Sequence, residues 1–138
     1  EKEVLKWACN GFPENHLNQL KRNLQMQEML VAEKEIFVDS KEWIRKLHEL
    51  DKHFHALIFE GQRRNHTWKA IEQMISNYQR MMNLSQTDAH FQKMIAEHKE
   101  IVRIIEEKEI EQIDDVLRKH ILEPVSNWKE IYKEGVVC

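Results

Sequence analysis

The sequence has few of the residues that interrupt helices, with 3 glycines and 2 prolines in 138 residues. Its two cysteines, Cys9 and Cys138, stand near opposite ends without motif spacing, which favours a reducing cytoplasm over a disulfide framework. No apolar run is long enough to span a bilayer and no secretory segment opens the chain, so a cytoplasmic protein without a membrane partner is expected. The net charge is −3, and the absence of a positive field disfavours nucleic-acid binding by this segment itself.

What the sequence does contain favours helices. Glu, Lys, Gln, Leu, Ile and Met are abundant, and apolar residues recur at helical spacing with no sustained strand alternation. About seven helices are predicted, over residues 1–9, 14–33, 39–61, 68–82, 88–105, 110–121 and 124–135. The expected fold is all-α, an antiparallel bundle of six to seven helices.

Three of the predicted helices carry an aspartate or a histidine in the row of apolar positions that faces the core. Asp51 and His55 are four residues apart, so they lie one turn apart on one face of the third helix. His98 interrupts the apolar row of the fifth helix, and His120 lies at the inner edge of the sixth. Each histidine could instead be a hydrogen-bonded core residue, and Asp51 could pair with a lysine or arginine.

One divalent cation would satisfy all four of these side chains. Burying a carboxylate and three imidazoles is costly unless each group finds a partner. Three imidazole nitrogens and one carboxylate oxygen suit zinc or another borderline metal, with nickel or manganese as alternatives. The sequence therefore predicts a metal site at Asp51, His55, His98 and His120, with zinc as the first candidate.

The same residues resemble the signature of a known family. The segment 51–55, Asp-Lys-His-Phe-His, matches the D-x-x-F-H motif of the FCD domain, the C-terminal sensor domain of the FadR subfamily of GntR-type repressors. The segment 97–101 matches its E-H-x-x-I motif, and His120 follows His98 by 22 residues, where the family has its last histidine. The resemblance covers residues 1–121.

This resemblance implies a bundle of six or seven helices in which a metal lies at the base of a cavity for a small carboxylate effector. Residues 1–138 would then be the metal- and effector-binding domain, with no N-terminal winged helix-turn-helix domain in this chain. In the family, that second domain binds operator DNA, usually within a homodimer, and the effector alters its pose. The resemblance thus implies a transcription regulator rather than an enzyme.

The charge of the predicted centre also favours an anionic effector. A dication with one carboxylate and three neutral imidazoles has a net charge of about +1, which a carboxylate can neutralise. In the fourth predicted helix, Arg80 and Asn77 are the residues expected to reach such a ligand, although a solvated Arg80 is the alternative.

Two other functions stay open at this stage. One is a metal-dependent enzyme that uses metal-bound water, although the sequence lacks an H-E-x-x-H arrangement or the paired Glu-x-x-His repeats of a di-iron bundle. The other is a helical interaction module without metal, in which the buried histidines are ordinary core residues.

Overall fold

The structure, a computed structural model, describes the backbone of residues 1–82 and 88–122 and the side chains of residues 1–74 and 90–120. Within these ranges the fold is a bundle of helices without strands, as predicted. The helices are α1 (Lys2–Asn10), α2 (Glu14–Ala32), α3 (Ser40–Gly61), α4 (Asn65–Met82), α5 (Asp88–Glu107) and α6 (Ile113–Leu117). Their bounds agree with the sequence-based helices to within a few residues.

The ends of the helices follow local sequence. Pro13, which fixes its own φ and disfavours helix in the residue before it, separates α1 from α2. Asp39 caps α3, and its Oδ1 accepts a hydrogen bond from the Lys41 amide at 2.9 Å. Lys108 ends α5 in the left-handed region, with φ of 60°, so the chain turns sharply before α6.

The core consists of two apolar clusters with polar side chains between them. The larger cluster draws residues from all six helices, and the smaller one consists of Trp43, Leu47, Phe91 and Met94. Along α3, Asp51 follows the smaller cluster and precedes the larger one, and along α5 His98 has the corresponding position. Because α2 packs against both α3 and α5, these polar side chains are enclosed within the bundle.

The sixth predicted helix is not one regular α-helix. A 3₁₀ turn (Ile110–Gln112) leads into α6, and a π-helical turn (Arg118–Leu122) follows it. π-Helical turns are rare and occur often at functional sites, because the wider turn changes the direction in which its side chains project. His120 lies within this turn.

One of the predicted helices, the last one over residues 124–135, falls outside the described residues. Among the described helices, none combines the length and the apolar character that crossing a membrane requires.

Candidate metal centre

The four predicted ligand residues meet at one point inside the bundle. The ligand atoms of Asp51, His55, His98 and His120 all lie within 4.8 Å of one another. Asp51 Oδ1 is 3.2 Å from His55 Nε2 and 3.1 Å from His98 Nε2, and the Nε2 atoms of His55 and His120 are 3.1 Å apart. His98 is 0% exposed and His55 6% exposed, so the centre is largely shielded from water.

The neighbouring helices set the direction of each ring. The four-residue spacing on α3 brings Asp51 and His55 to the same face. Phe54 stacks on the His98 ring, with centroids 4.2 Å apart and planes 19° from parallel. The π-helical turn brings His120 against His55, where the two rings stack at 5.1 Å.

Each histidine is held by its second ring nitrogen. Nδ1 of His55 contacts the carboxylate of Glu1, Nδ1 of His98 lies 2.9 Å from Gln27 Oε1, and Nδ1 of His120 lies 2.7 Å from Glu97 Oε2. Since a carboxylate or an amide oxygen accepts a proton from Nδ1, all three Nε2 atoms face the common centre. Metal-binding histidines in proteins are almost always supported in this way.

The protein groups shift the pKa values in the centre in opposite directions. Burial lowers the pKa of His55, but the carboxylates of Glu1 and Asp51 outweigh it and raise this pKa to about 10. Burial, together with the neighbouring His120 and His55, lowers the pKa of His98 to about 4, against the effect of Asp51. Burial would raise the pKa of Asp51, but the contacts with His55 and His98 hold it well below its usual range. His98 is therefore neutral and His55 binds protons tightly.

The residues present fit a divalent cation. The fully buried Nε2 of His98 lies 3.1 Å from Asp51 Oδ1, so a nitrogen and a carboxylate oxygen that can both bind a cation lie side by side in the interior. Two ligand atoms each about 2.1 Å from a shared cation lie about 3.0 to 3.4 Å apart. Three of the distances here are 3.1 to 3.2 Å, and since the four ligand atoms lie within 4.8 Å of one another, the widest pairs would have to draw closer around the cation. The donor set of three imidazoles and one carboxylate is that of zinc and similar borderline metals.

The supporting carboxylates change the charge expected from sequence. Glu1 and Glu97 add two negative charges at the far sides of His55 and His120, so the centre with a dication has a net charge of about −1 rather than about +1. Lys93 Nζ lies 3.8 Å from Glu97 Oε1 and offsets part of this charge. Net charge alone therefore does not attract an anion to this centre.

Other predicted side chains have different outcomes. Asn77 and Arg80 belong to α4, but their side chains lie outside the described residues. Five further histidines lie outside the centre. His53 and His66 are exposed, whereas His16, His48 and His90 are half-buried, in part because the ring centroids of His48 and His90 lie 6.3 and 5.4 Å from that of Phe91.

The supporting residues were missed in the sequence, although one of them carried a readable signal. Gln27 is 0% exposed and stands in the apolar row of α2 formed by Leu20, Leu24 and Val31, so the criterion that found His98 applies to it as well. Glu97 appeared in the sequence only as the first residue of the E-H-x-x-I motif, and nothing in the sequence showed that Glu97 contacts His120 or that Glu1 contacts His55.

Comparison with known proteins agrees with this geometry. Searches of curated proteins and of solved structures found no match. The family model of the FCD domain matches residues 1–123, a range that includes all four residues of the centre and all three of their supports. The chain therefore belongs to the FCD domain family.

Proposed function

We propose that this chain is the metal-dependent sensor domain of a bacterial transcription regulator of the GntR type, within its FadR subfamily. Asp51, His55, His98 and His120 hold one divalent cation, with zinc as the first candidate and nickel or manganese as alternatives. The cation fixes the base of an effector site and offers a coordination position to an oxygen ligand. Binding of a small carboxylate there changes how an N-terminal winged helix-turn-helix domain, outside this chain, engages operator DNA.

One observation carries the metal part of this proposal. Three Nε2 atoms and one carboxylate oxygen converge in a buried centre, and each imidazole is supported at Nδ1. Ordinary core histidines need one hydrogen bond each and have no reason to direct their remaining nitrogens to the same point. The convergence thus favours a metal site over a metal-free interaction module.

The family supports a sensor rather than an enzyme. The FCD domain is typical of the effector-binding part of transcription regulators. No described residue beside the four ligands stands out as a free general base, since Glu97 and Glu1 are engaged by His120 and His55. Ligand binding, rather than turnover, is the chemistry that this centre supports best.

A carboxylate effector needs more than the charge of the centre. With Glu1 and Glu97 beside the ligands, an anion must coordinate the cation directly or meet a further positive side chain. Arg80 and Asn77 of α4 are the proposed residues for that contact. Effector binding changes the affinity for DNA only if the effector binds one of two conformations of the regulator more tightly than the other. We propose that the regulator is a homodimer.

Metal content after purification tests the proposed site. We expect about one equivalent of metal per chain and a sharp loss of it in His98→Ala, because the variant loses a fully buried ligand. Elemental analysis combined with native mass spectrometry measures the metal and any co-purified acid together. The matched control is His53→Ala, which removes an exposed histidine two residues from His55 and should keep full metal content. A wild-type chain without metal, or a His98→Ala variant that retains it, would overturn the proposal.

A further inference from the structure

We propose that Asn23 and Gln27 of α2 are positioning residues that fix the tautomer of His98 and so keep its Nε2 available to a cation. The proposal rests on the function proposed above and concerns residues that do not touch the metal. It adds a fourth helix to the centre, because α3, α5 and the π-helical turn supply the ligands themselves.

The contacts form a chain from the backbone of α3 to the ring of His98. Asn23 Nδ2 donates to the Leu50 carbonyl oxygen at 3.1 Å, and Gln27 Nε2 donates to Asn23 Oδ1 at 2.6 Å. Gln27 Oε1 then lies 2.9 Å from His98 Nδ1. Asn23 is 3% exposed, and Gln27 and His98 are 0% exposed, so water does not offer alternative partners.

The direction of this chain follows from its first member. A backbone carbonyl can only accept, so Asn23 must present its amide nitrogen to Leu50 and its oxygen to Gln27. Gln27 must then present its nitrogen to Asn23 and its oxygen to His98. An amide oxygen accepts, which requires the proton of neutral His98 on Nδ1 and leaves the lone pair on Nε2.

Asp51, whose Oδ1 lies 3.1 Å from His98 Nε2, favours a proton on Nε2 in the metal-free chain, so the Gln27 oxygen is the contact that holds the proton on Nδ1. If the Gln27 amide were reversed, its nitrogen would donate to Nδ1 and the proton would move to Nε2, where it would block ligation. Without Asn23, both orientations of Gln27 become available. The effect of Asn23 on metal binding is therefore indirect and passes through two hydrogen bonds.

Three variants of the full chain separate positioning from packing. Gln27→Met and Asn23→Leu replace a polar group by an apolar one of similar size, and Gln27→Glu keeps an acceptor for Nδ1. A protonated Glu at this position also keeps the donor to Asn23. Zinc affinity is measured by competition with a chromophoric chelator, and the tautomer of His98 by long-range ¹H–¹⁵N correlation spectra of the metal-free chain.

We expect Gln27→Met and Asn23→Leu to weaken zinc binding by about 10- to 100-fold and to mix or reverse the tautomer. Gln27→Glu should keep the proton of His98 on Nδ1 and bind zinc at least as tightly as the wild type, because it retains an acceptor for Nδ1. A purely structural role would lower thermal stability in the two apolar variants and leave the zinc affinity and the tautomer of the folded protein unchanged.

The outcomes distinguish this inference from the function on which it rests. A wild-type chain that binds no zinc would overturn the proposed function. The spectra of the metal-free chain would still show whether Asn23 and Gln27 fix the tautomer of His98. A wild-type His98 with its proton on Nε2, or unchanged zinc affinity in Asn23→Leu and Gln27→Met, overturns the positioning role.

Discussion

Each histidine of the centre contacts a supporting side chain through Nδ1 and directs Nε2 to the proposed cation site. The supports differ in charge, since Glu1 and Glu97 are carboxylates whereas Gln27 is a neutral amide. The Glu1 carboxylate makes the His55 imidazole more basic, which strengthens its affinity for protons and for a metal. The pKa of about 10 at His55 and of about 4 at His98 reflects that difference, together with the burial of both rings.

Metal binding is expected to depend on pH through His55. Because the pKa of His55 is raised to about 10, the metal-free centre holds a proton there at neutral pH, and the cation must displace it. The apparent affinity should rise about tenfold per pH unit from pH 7 to about 10, with about one proton released per metal. His98, with a pKa of about 4, is already neutral over this range. Titration calorimetry in two buffers of different ionisation enthalpy measures the released proton.

The raised pKa of His55 also makes the stability of the metal-free chain depend on pH. A group whose pKa is higher in the folded chain than in the unfolded one, where histidine has about 6.5, stabilises the fold below that value and loses the effect as pH rises through the folded pKa. The metal-free chain should therefore lose stability between about pH 6.5 and 10. His53→Ala is the control, and its metal affinity and its stability should depend on pH as they do in the wild type. A pH-independent metal affinity of the wild type would contradict the role given to His55.

Much of the centre could be predicted from the sequence, since its ligands interrupt apolar rows. Asp51 and His55 were visible as a pair because one helix carries both at four-residue spacing. The supports given by Glu1 and Glu97 were not predictable, because helical periodicity shows which face of a helix is buried but not which residue of another helix lies opposite. His98 is an example. Its place in the apolar row predicted that its side chain faces the core, but nothing in the sequence predicted that Gln27 is its hydrogen-bond partner.

At the scale of secondary structure, the helix bounds followed from residues with strong local preferences, such as Pro13 and Asp39. The π-helical turn at Arg118–Leu122 could not be predicted from such residues. Its residues have ordinary helix propensities, and the turn packs against α5, a tertiary contact that composition does not reveal.

The turn that follows α5 allows a test of local strain. Lys108 has a φ of 60° and is exposed, and a side chain in this left-handed region costs about 1 kcal/mol relative to glycine. Lys108→Gly should therefore raise the melting temperature by about 3 °C to 5 °C while metal content stays the same. Thermal unfolding followed by circular dichroism measures the shift.

An exposed lysine inside a helix provides the opposite control. Lys69 of α4 is exposed and lies within regular helix, so Lys69→Gly should destabilise the chain by about 1 kcal/mol. Destabilisation by Lys108→Gly of the same size would show that the positive φ at this position carries no strain.

At the scale of the whole molecule, the centre joins α3, α5 and the turn after α6, so a ligand of the centre should stabilise the entire bundle. A carboxylate that coordinates the cation binds only the folded, metal-loaded chain. Lactate, as a small hydroxy acid probe at 100 times its Kd, should add about 2.7 kcal/mol, or about 10 °C in melting temperature for a chain of this size.

The same titration on chelator-treated protein and on His98→Ala provides the comparison. Both should show no stabilisation, because the coordination site is lost, whereas His53→Ala should respond like the wild type. An equal shift with and without metal would mean that the acid binds elsewhere, and the absence of a shift across a series of small carboxylates would remove the effector from the proposal.

Glu97 and His98 are consecutive residues, and each serves a different part of the centre: His98 faces it directly, and Glu97 supports His120. Since consecutive side chains on a helix diverge by about 100°, α5 reaches two points of the centre at once. Rotation of α5 about its long axis would move a ligand and the support of another ligand in the same step. We therefore expect a cation at the centre to restrain the rotational setting of α5 through both residues at once.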